Sequence, residues 1–177
     1  MDKDAAEWVE KEEPGWSRLI HQGNIFGDNF VRGDASGKRI CIQYYFRESD
    51  GSIMAKVLFG PEAQGPPGHV HGGCIAAVLD ESMGIASWMA GHIVVAAGLN
   101  IKFRKMVPLG APCTIETRVV KVTGRKVKMG AKLLTRSGRV LAEGEAMFIS
   151  LDPALFDDLV SKAAPLLEKL RGRHAGT

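Results

Sequence analysis

The sequence predicts an α+β domain in which an antiparallel β-sheet wraps around one central apolar α-helix. Three observations carry that expectation. The stretch from Gly73 to Ala90 is apolar almost all round, with Ile75, Val78, Leu79, Met83, Ile85, Ala86, Trp88 and Met89 leaving little room for a wet face. Six further runs read as strands, several with the period-two alternation of a sheet that has one covered face. Short turns such as Ser49-Asp50-Gly51 and Ser137-Gly138 join neighbouring runs, which suits antiparallel pairing. The sheet needs a cover and the helix needs burial, so each satisfies the other.

The elements follow in chain order. Asp4 to Glu13 predicts a short charged helix ended by Pro14-Gly15, with Trp16, Leu19 and Ile20 docking it. Gly23 to Gly37 is rich in Gly, Asp and Asn and reads as a loop. Arg39 to Phe46 and Ser52 to Phe59 are strands; Gly91 stops the apolar helix. Val94 to Lys105 sets Leu99, Ile101 and Phe103 against Asn100, Lys102 and Arg104. Cys113 to Val122 alternates less cleanly, Lys126 to Arg136 sets Val127, Met129, Ala131 and Leu133 against Lys128 and Lys132, and Arg139 to Ile149 is the last strand. Asp152-Pro153 opens a terminal helix from Ala154 to Leu170. The chain thus divides into an N-terminal helical and loop extension (1–37), a core domain (38–151) and a C-terminal helix and tail (152–177).

Composition narrows the function. A chain of 177 residues, 45% apolar and 24% charged, is one ordinary globular domain with a real core. No run of about 18 apolar residues is present, so no membrane span is expected. The acidic N-terminus (Asp2, Asp4, Glu7, Glu10, Glu12, Glu13) is the opposite of a signal or transit peptide. Cys41, Cys74 and Cys113 are widely spaced, which points to reduced thiols in a cytoplasmic protein. A net charge of +3 gives no reason to invoke nucleic acid, although cations crowd the stretch from Lys102 to Lys132.

The chemistry concentrates in Gly65-Pro66-Pro67-Gly68-His69-Val70-His71-Gly72-Gly73 and the helix that follows. Helix-start amides lack intrahelical partners, so Gly72 and Gly73 offer an oxyanion site. About two turns on, Asp80 and Glu81 interrupt the apolar helix, and an acid there needs a reason. Asp80 reads as general base or nucleophile, or else as a structural buried acid. Glu81 is turned about 100° away and reads as a supporting or interface partner more than a reacting group. His71 fixes the loop or bonds near the carbonyl. His69-x-His71 has no further ligands at suitable spacing, so no metal is expected. Amides and a carboxylate together suggest acyl transfer.

Geometry adds a partner. The helix start and Asp80 lie about 11–13 Å apart along the axis, too far for one carbonyl to touch both. Gly73, Asp80, Gly84, Ser87 and Gly91 lie close to one face and most are small. Two antiparallel helices from two subunits would set each Gly pair opposite the other's Asp80, so a homodimer is expected.

The ordered set resembles the hotdog-fold thioesterases of the PaaI-like type, including animal mitochondrial acyl-CoA thioesterases with a Gly-Pro-Pro-Gly-x-x-His-Gly-Gly loop. It comprises His71-Gly72-Gly73, Asp80 nine residues after the His, Leu99-Asn100-Ile101-Lys102-Phe103 and Gly124-Arg125-Lys126, and it spans roughly Ser52 to Leu151. The resemblance implies a hotdog fold and acyl-CoA hydrolysis at a composite dimer site. Coenzyme A would be part of the substrate, with no other cofactor. Gly72 would be the usual amide donor, and Lys102, Arg104, Arg125 and Lys126 would line the CoA surface, with Gln64 beside the substrate. A dimer of dimers stays open, as does the acyl group: Met54, Leu58, Met83, Trp88 and Met89 suit an aliphatic or an aryl pocket. Several relatives place Thr or Ser four residues ahead of the Asn, where it assists the attacking water; this chain has Ala96. Water positioning then falls to Ser82, Ser87 or Gln64. Two other classes compete: a hotdog acyl-CoA hydratase or dehydratase, and a non-catalytic acyl-CoA sensor.

Overall fold

Seven antiparallel strands form one sheet in the order β1-β2-β3-β5-β6-β7-β4. They are β1 (Trp16–Arg18), β2 (Ile40–Arg47), β3 (Ile53–Phe59), β4 (Val94–Phe103), β5 (Cys113–Thr123), β6 (Lys126–Thr135) and β7 (Val140–Ser150). Among the described residues, two α-helices, α1 (Lys3–Glu10) and α2 (Gly72–Met89), pack against them. This computed structural model describes residues 3–19, 29–34 and 36–152. The expected terminal helix from Ala154 to Leu170, Ile20 and part of the loop from Gly23 to Gly37 lie outside the described residues. No described helix is long and apolar enough to cross a membrane.

The strand beyond the six expected is β1, whose three residues are too few to show a period. Trp16 to Arg18 pair with Tyr45 to Arg47, and the Trp16 ring sits 5.8 Å from that of Tyr45. Helix α1 stops at Glu10 rather than Glu13, because Lys56 recruits the turn that follows. Its Nζ donates to the carbonyls of Trp8 (3.2 Å) and Lys11 (2.6 Å) and to Glu13 Oε1 (2.7 Å). The same ammonium lies 4.8 Å from the Trp8 ring centroid and 5.5 Å from that of Tyr45. Lys56 is 1% exposed, a burial tolerable only with such partners. Every residue of β3 is buried, because α2 covers one face and α1 the other. Met54 and Leu58 alternate with Lys56 on the α1 side, so neither lines a pocket at α2 as expected.

Helix α2 begins and ends where chain geometry compels it. Its start is capped by His71; at its end Gly91 adopts φ +87°, with His92 N–H bonding Ser87 O and Gly91 N–H bonding Trp88 O. That left-handed pair of bonds is the glycine-dependent helix stop. The helix packs closely on the sheet at Gly144, where a Cβ would lie 3.3 Å from Met83 and 3.6 Å from Leu79. Cys41, Cys74 and Cys113 are free thiols, and Cys74 packs against the core as a small apolar residue.

Strand β4 forms an edge of the sheet, yet it is long and largely exposed. Its register against β7 shifts at Ala97, so Ala96 and Gly98 face consecutive partners, Phe148 and Met147. The shift puts Val94, Ala96, Leu99, Ile101 and Phe103 on the α2 face. Asn100, Lys102 and Arg104 take the opposite one.

Candidate active site

The Gly-Pro loop is tied by its own backbone. Gly65 N–H bonds His69 O, His69 N–H bonds Pro66 O, and His71 N–H bonds Ala63 O, all at 2.8–2.9 Å. A Cβ on Gly65 would lie 2.8 Å from His71 Cα, so only glycine allows the chain to fold back on itself there. Gln64 Oε1 accepts from Gly68 N–H at 3.0 Å. Its oxygen therefore holds the turn.

The loop hands His71 to the helix as N-cap. His71 Nδ1 accepts from Gly73 N–H at 2.9 Å, which places the imidazole proton on Nε2. Both glycines were expected to face a carbonyl. The cap occupies the Gly73 amide, whereas the Gly72 N–H has no acceptor among the described residues. Phe103 crowds Gly72 so closely that a Cβ would lie 3.2 Å from its ring.

Asp80 is half-buried, and its Oδ1 has no hydrogen-bond partner among the described residues. Burial, with the Glu81 charge as the smaller cause, lifts its carboxyl above the ordinary carboxylate range. It opens on a cleft of about 250 Å³ lined by Gly84, Ile85, Trp88, Val94, Ala96 and Phe148, with Asn29, Arg32 and Glu81 as its polar border. Ala96 thus stands in the Asp80 cleft. Met83 is fully buried in the core and Met89 is turned to another groove, so of the expected pocket residues Trp88 alone borders this cleft.

Glu81 accepts from Arg32 Nε at 2.9 Å and Asn29 Nδ2 at 3.0 Å, so it holds the segment between β1 and β2. Ser82 and Ser87 are fully buried and donate back to Val78 O (2.6 Å) and Met83 O (2.9 Å), away from any water in the cleft. Arg32 and Asn29 were missed, since they lie in an aperiodic stretch 49 and 52 residues from their partner.

The expected basic residues do not form one cluster within the chain. Arg104 pairs with Glu143 at 2.6 Å on the face away from α2, and Lys102 shares that face. Arg125 Nε donates to Ser150 O at 3.1 Å, and Lys126 pairs with Ile149 across the ladder while Lys102 pairs with Glu143. Six residues of β7 separate the two levels, about 20 Å of strand. A larger groove of about 830 Å³, bordered by Phe46, Ile53, Met89, Arg118 and Val120, includes neither Gly72 nor Asp80.

Residues 67–142 match the thioesterase superfamily. The chain is 31% identical over 121 residues to the acyl-coenzyme A thioesterase THEM4 of Xenopus laevis, covering 68% of this chain and 54% of that one. The chain belongs to the thioesterase superfamily. Its sheet around a central helix is the hotdog fold of that superfamily, and a solved thioesterase superfamily protein, 33% identical, superposes with a TM-score of 0.57 over 62% of this chain and 53% of its own. A Bacillus halodurans protein solved with CoA is 27% identical, with a TM-score of 0.51 over 55% of this chain and 66% of its own. This superfamily member spans about half the length of the curated relatives it matches.

Proposed function

We propose that this chain is an acyl-CoA thioesterase with two equivalent sites shared across a homodimer. The observation that carries the reading is Asp80: a half-buried carboxylate with an unpartnered oxygen, opening on an apolar cleft in a helix otherwise free of reacting groups. The name of the Xenopus laevis relative and the CoA in the Bacillus halodurans structure support the substrate class.

Strand β4 supports the dimer. A long edge with Leu99 and Phe103 exposed at 42% and 55% invites a strand of the same kind. Antiparallel pairing of two β4 edges around Leu99 sets the Ala96 end of one subunit toward the Phe103 end of the other. Asp80 lies beside Ala96, and Gly72 lies beneath Phe103. The same operation brings each Asp80 toward Gly72 of the partner subunit. It also brings Lys102 and Arg104 toward the partner's Arg125, uniting cations that one chain keeps apart.

In such a site the thioester oxygen accepts from the Gly72 N–H, which stabilises the charge that develops on it. Asp80 removes a proton from water as the water oxygen attacks the carbonyl carbon. Collapse of the adduct breaks the C–S bond, CoA leaves as thiolate, and the proton on Asp80 passes to it or to solvent. Alternatively Asp80 attacks the carbonyl carbon, the C–S bond breaks to release CoA as thiolate, and water then hydrolyses the mixed anhydride. Thiol release from a panel of acyl-CoA substrates, lost in Asp80→Asn, tests the reading. One observation favours a second reading: Ala96 supplies no hydroxyl to hold water in the cleft. Tight acyl-CoA binding without thiol release would identify a non-catalytic sensor instead.

A further inference from the structure

Glu81 stands one residue after Asp80, and an unneutralised charge there opposes ionisation of its neighbour. The structure supplies a counter-charge from residues 29–34. Arg32 Nε and Asn29 Nδ2 both donate to Glu81 Oε1, at 2.9 and 3.0 Å. The segment is folded to deliver them: Asn29 Oδ1 accepts from the N–H groups of Val31 (2.9 Å) and Arg32 (2.8 Å), and Val31 is buried in the core. The Arg32 and Glu81 side chains are 11% and 23% exposed, so solvent screens them less than a surface pair. Both border the cleft onto which Asp80 opens.

We propose that Arg32 is a positioning residue for Asp80: by pairing with Glu81 it offsets the repulsion between the two neighbouring carboxylates, and by anchoring residues 29–34 it builds one wall of the cleft. The proposal rests on reading Asp80 as the reacting carboxylate. The other groups that face Asp80 are few. Residues Val94 and Ala96 of β4 and Phe148 of β7 are apolar, and on β2 burial keeps the Tyr44 phenol near the ion pair protonated.

The test follows the Asp80 carboxyl directly, by carbon-detected NMR titration of the full chain, with Asp80→Asn identifying the signal. Arg32→Gln leaves Glu81 uncompensated and should raise the Asp80 midpoint by about one pH unit. Glu81→Gln leaves Arg32 uncompensated and should lower it by a similar amount. The double variant should return close to the starting value. Midpoints that stay still, or single variants that shift it in the same direction, overturn the proposal. Should Arg32→Gln fold poorly, the double variant, which leaves no unpaired charge, decides the question: its midpoint should lie above that of Glu81→Gln, and equal midpoints in the two overturn the proposal. The acidic limb of kcat should move with the midpoint. A midpoint that moves while the limb stays supports the role of Arg32 and removes Asp80 as the base.

Discussion

Gly73 gives its N–H to Nδ1 of His71 at 2.9 Å, while Gly72 beside it keeps its own N–H without an acceptor among the described residues. Two adjacent glycines thus have separate tasks. Proline suits a first helical position and carries no N–H, so Gly72→Pro, once the Phe103 ring has shifted to admit it, removes the proposed donor and should lower kcat by about 10²–10³. His71→Ala removes the cap and should instead cost about 0.5–2 kcal/mol of stability, read as a lower melting temperature. If the two variants exchanged these effects, the amide roles would be reversed.

Asp80→Asn should cut kcat by about 10²–10⁴, the range of a lost acid–base group. Its effect on stability should have the opposite sign. The folded carboxyl titrates above its unfolded value, so the folded state binds more protons between the two values and stability falls as pH rises through that window. Replacing the charge by an amide relieves that penalty. Thermal unfolding at pH 7 should therefore show Asp80→Asn at least as stable as the parent, with the advantage gone at pH below both values.

Mixing Asp80→Asn chains with Gly72→Pro chains should restore activity that neither has alone. Only a heterodimer assembles one site with both native halves. Verified subunit exchange without recovery would place both groups in one chain's site.

Ala96 borders the same cleft as Asp80. Ala96→Thr puts a hydroxyl where water must be held, and kcat should rise several-fold with KM little changed. A fall in kcat would mean that the methyl packs against the acyl group.

Arg125→Ala and Lys126→Ala should raise KM for acyl-CoA with kcat little changed, because phosphate contacts are common to ground and transition states. The effect should fade as salt rises. An N-acetylcysteamine thioester, which has no nucleotide, should be indifferent; equal harm to both substrates would assign these residues to the fold.

The central helix was legible because its boundaries are covalent facts, a Gly-Pro loop before and Gly91 after, and because its apolar residues leave no wet face. The acid in it was legible as an exception to that pattern. What escaped was pairing at long range. Nothing local in Asn29 or Arg32 announces Glu81, and a hydroxyl such as Ser82 looks available until its bond to Val78 O is seen. The burial of Lys56 escaped for the same reason, since only α1 makes its face of β3 dry.

Among the described residues, every hydrogen-bond partner of the Lys56 ammonium comes from Trp8, Lys11 and Glu13, far ahead of the segment that matches other thioesterases. The stretch that carries the kinship is therefore smaller than the stretch that must fold together. A fragment beginning at Arg39 would keep the glycines, Asp80 and six of the seven strands, yet leave a cation facing a stripped sheet. One buried ammonium, rather than any catalytic group, ties residues 8–13 to the sheet.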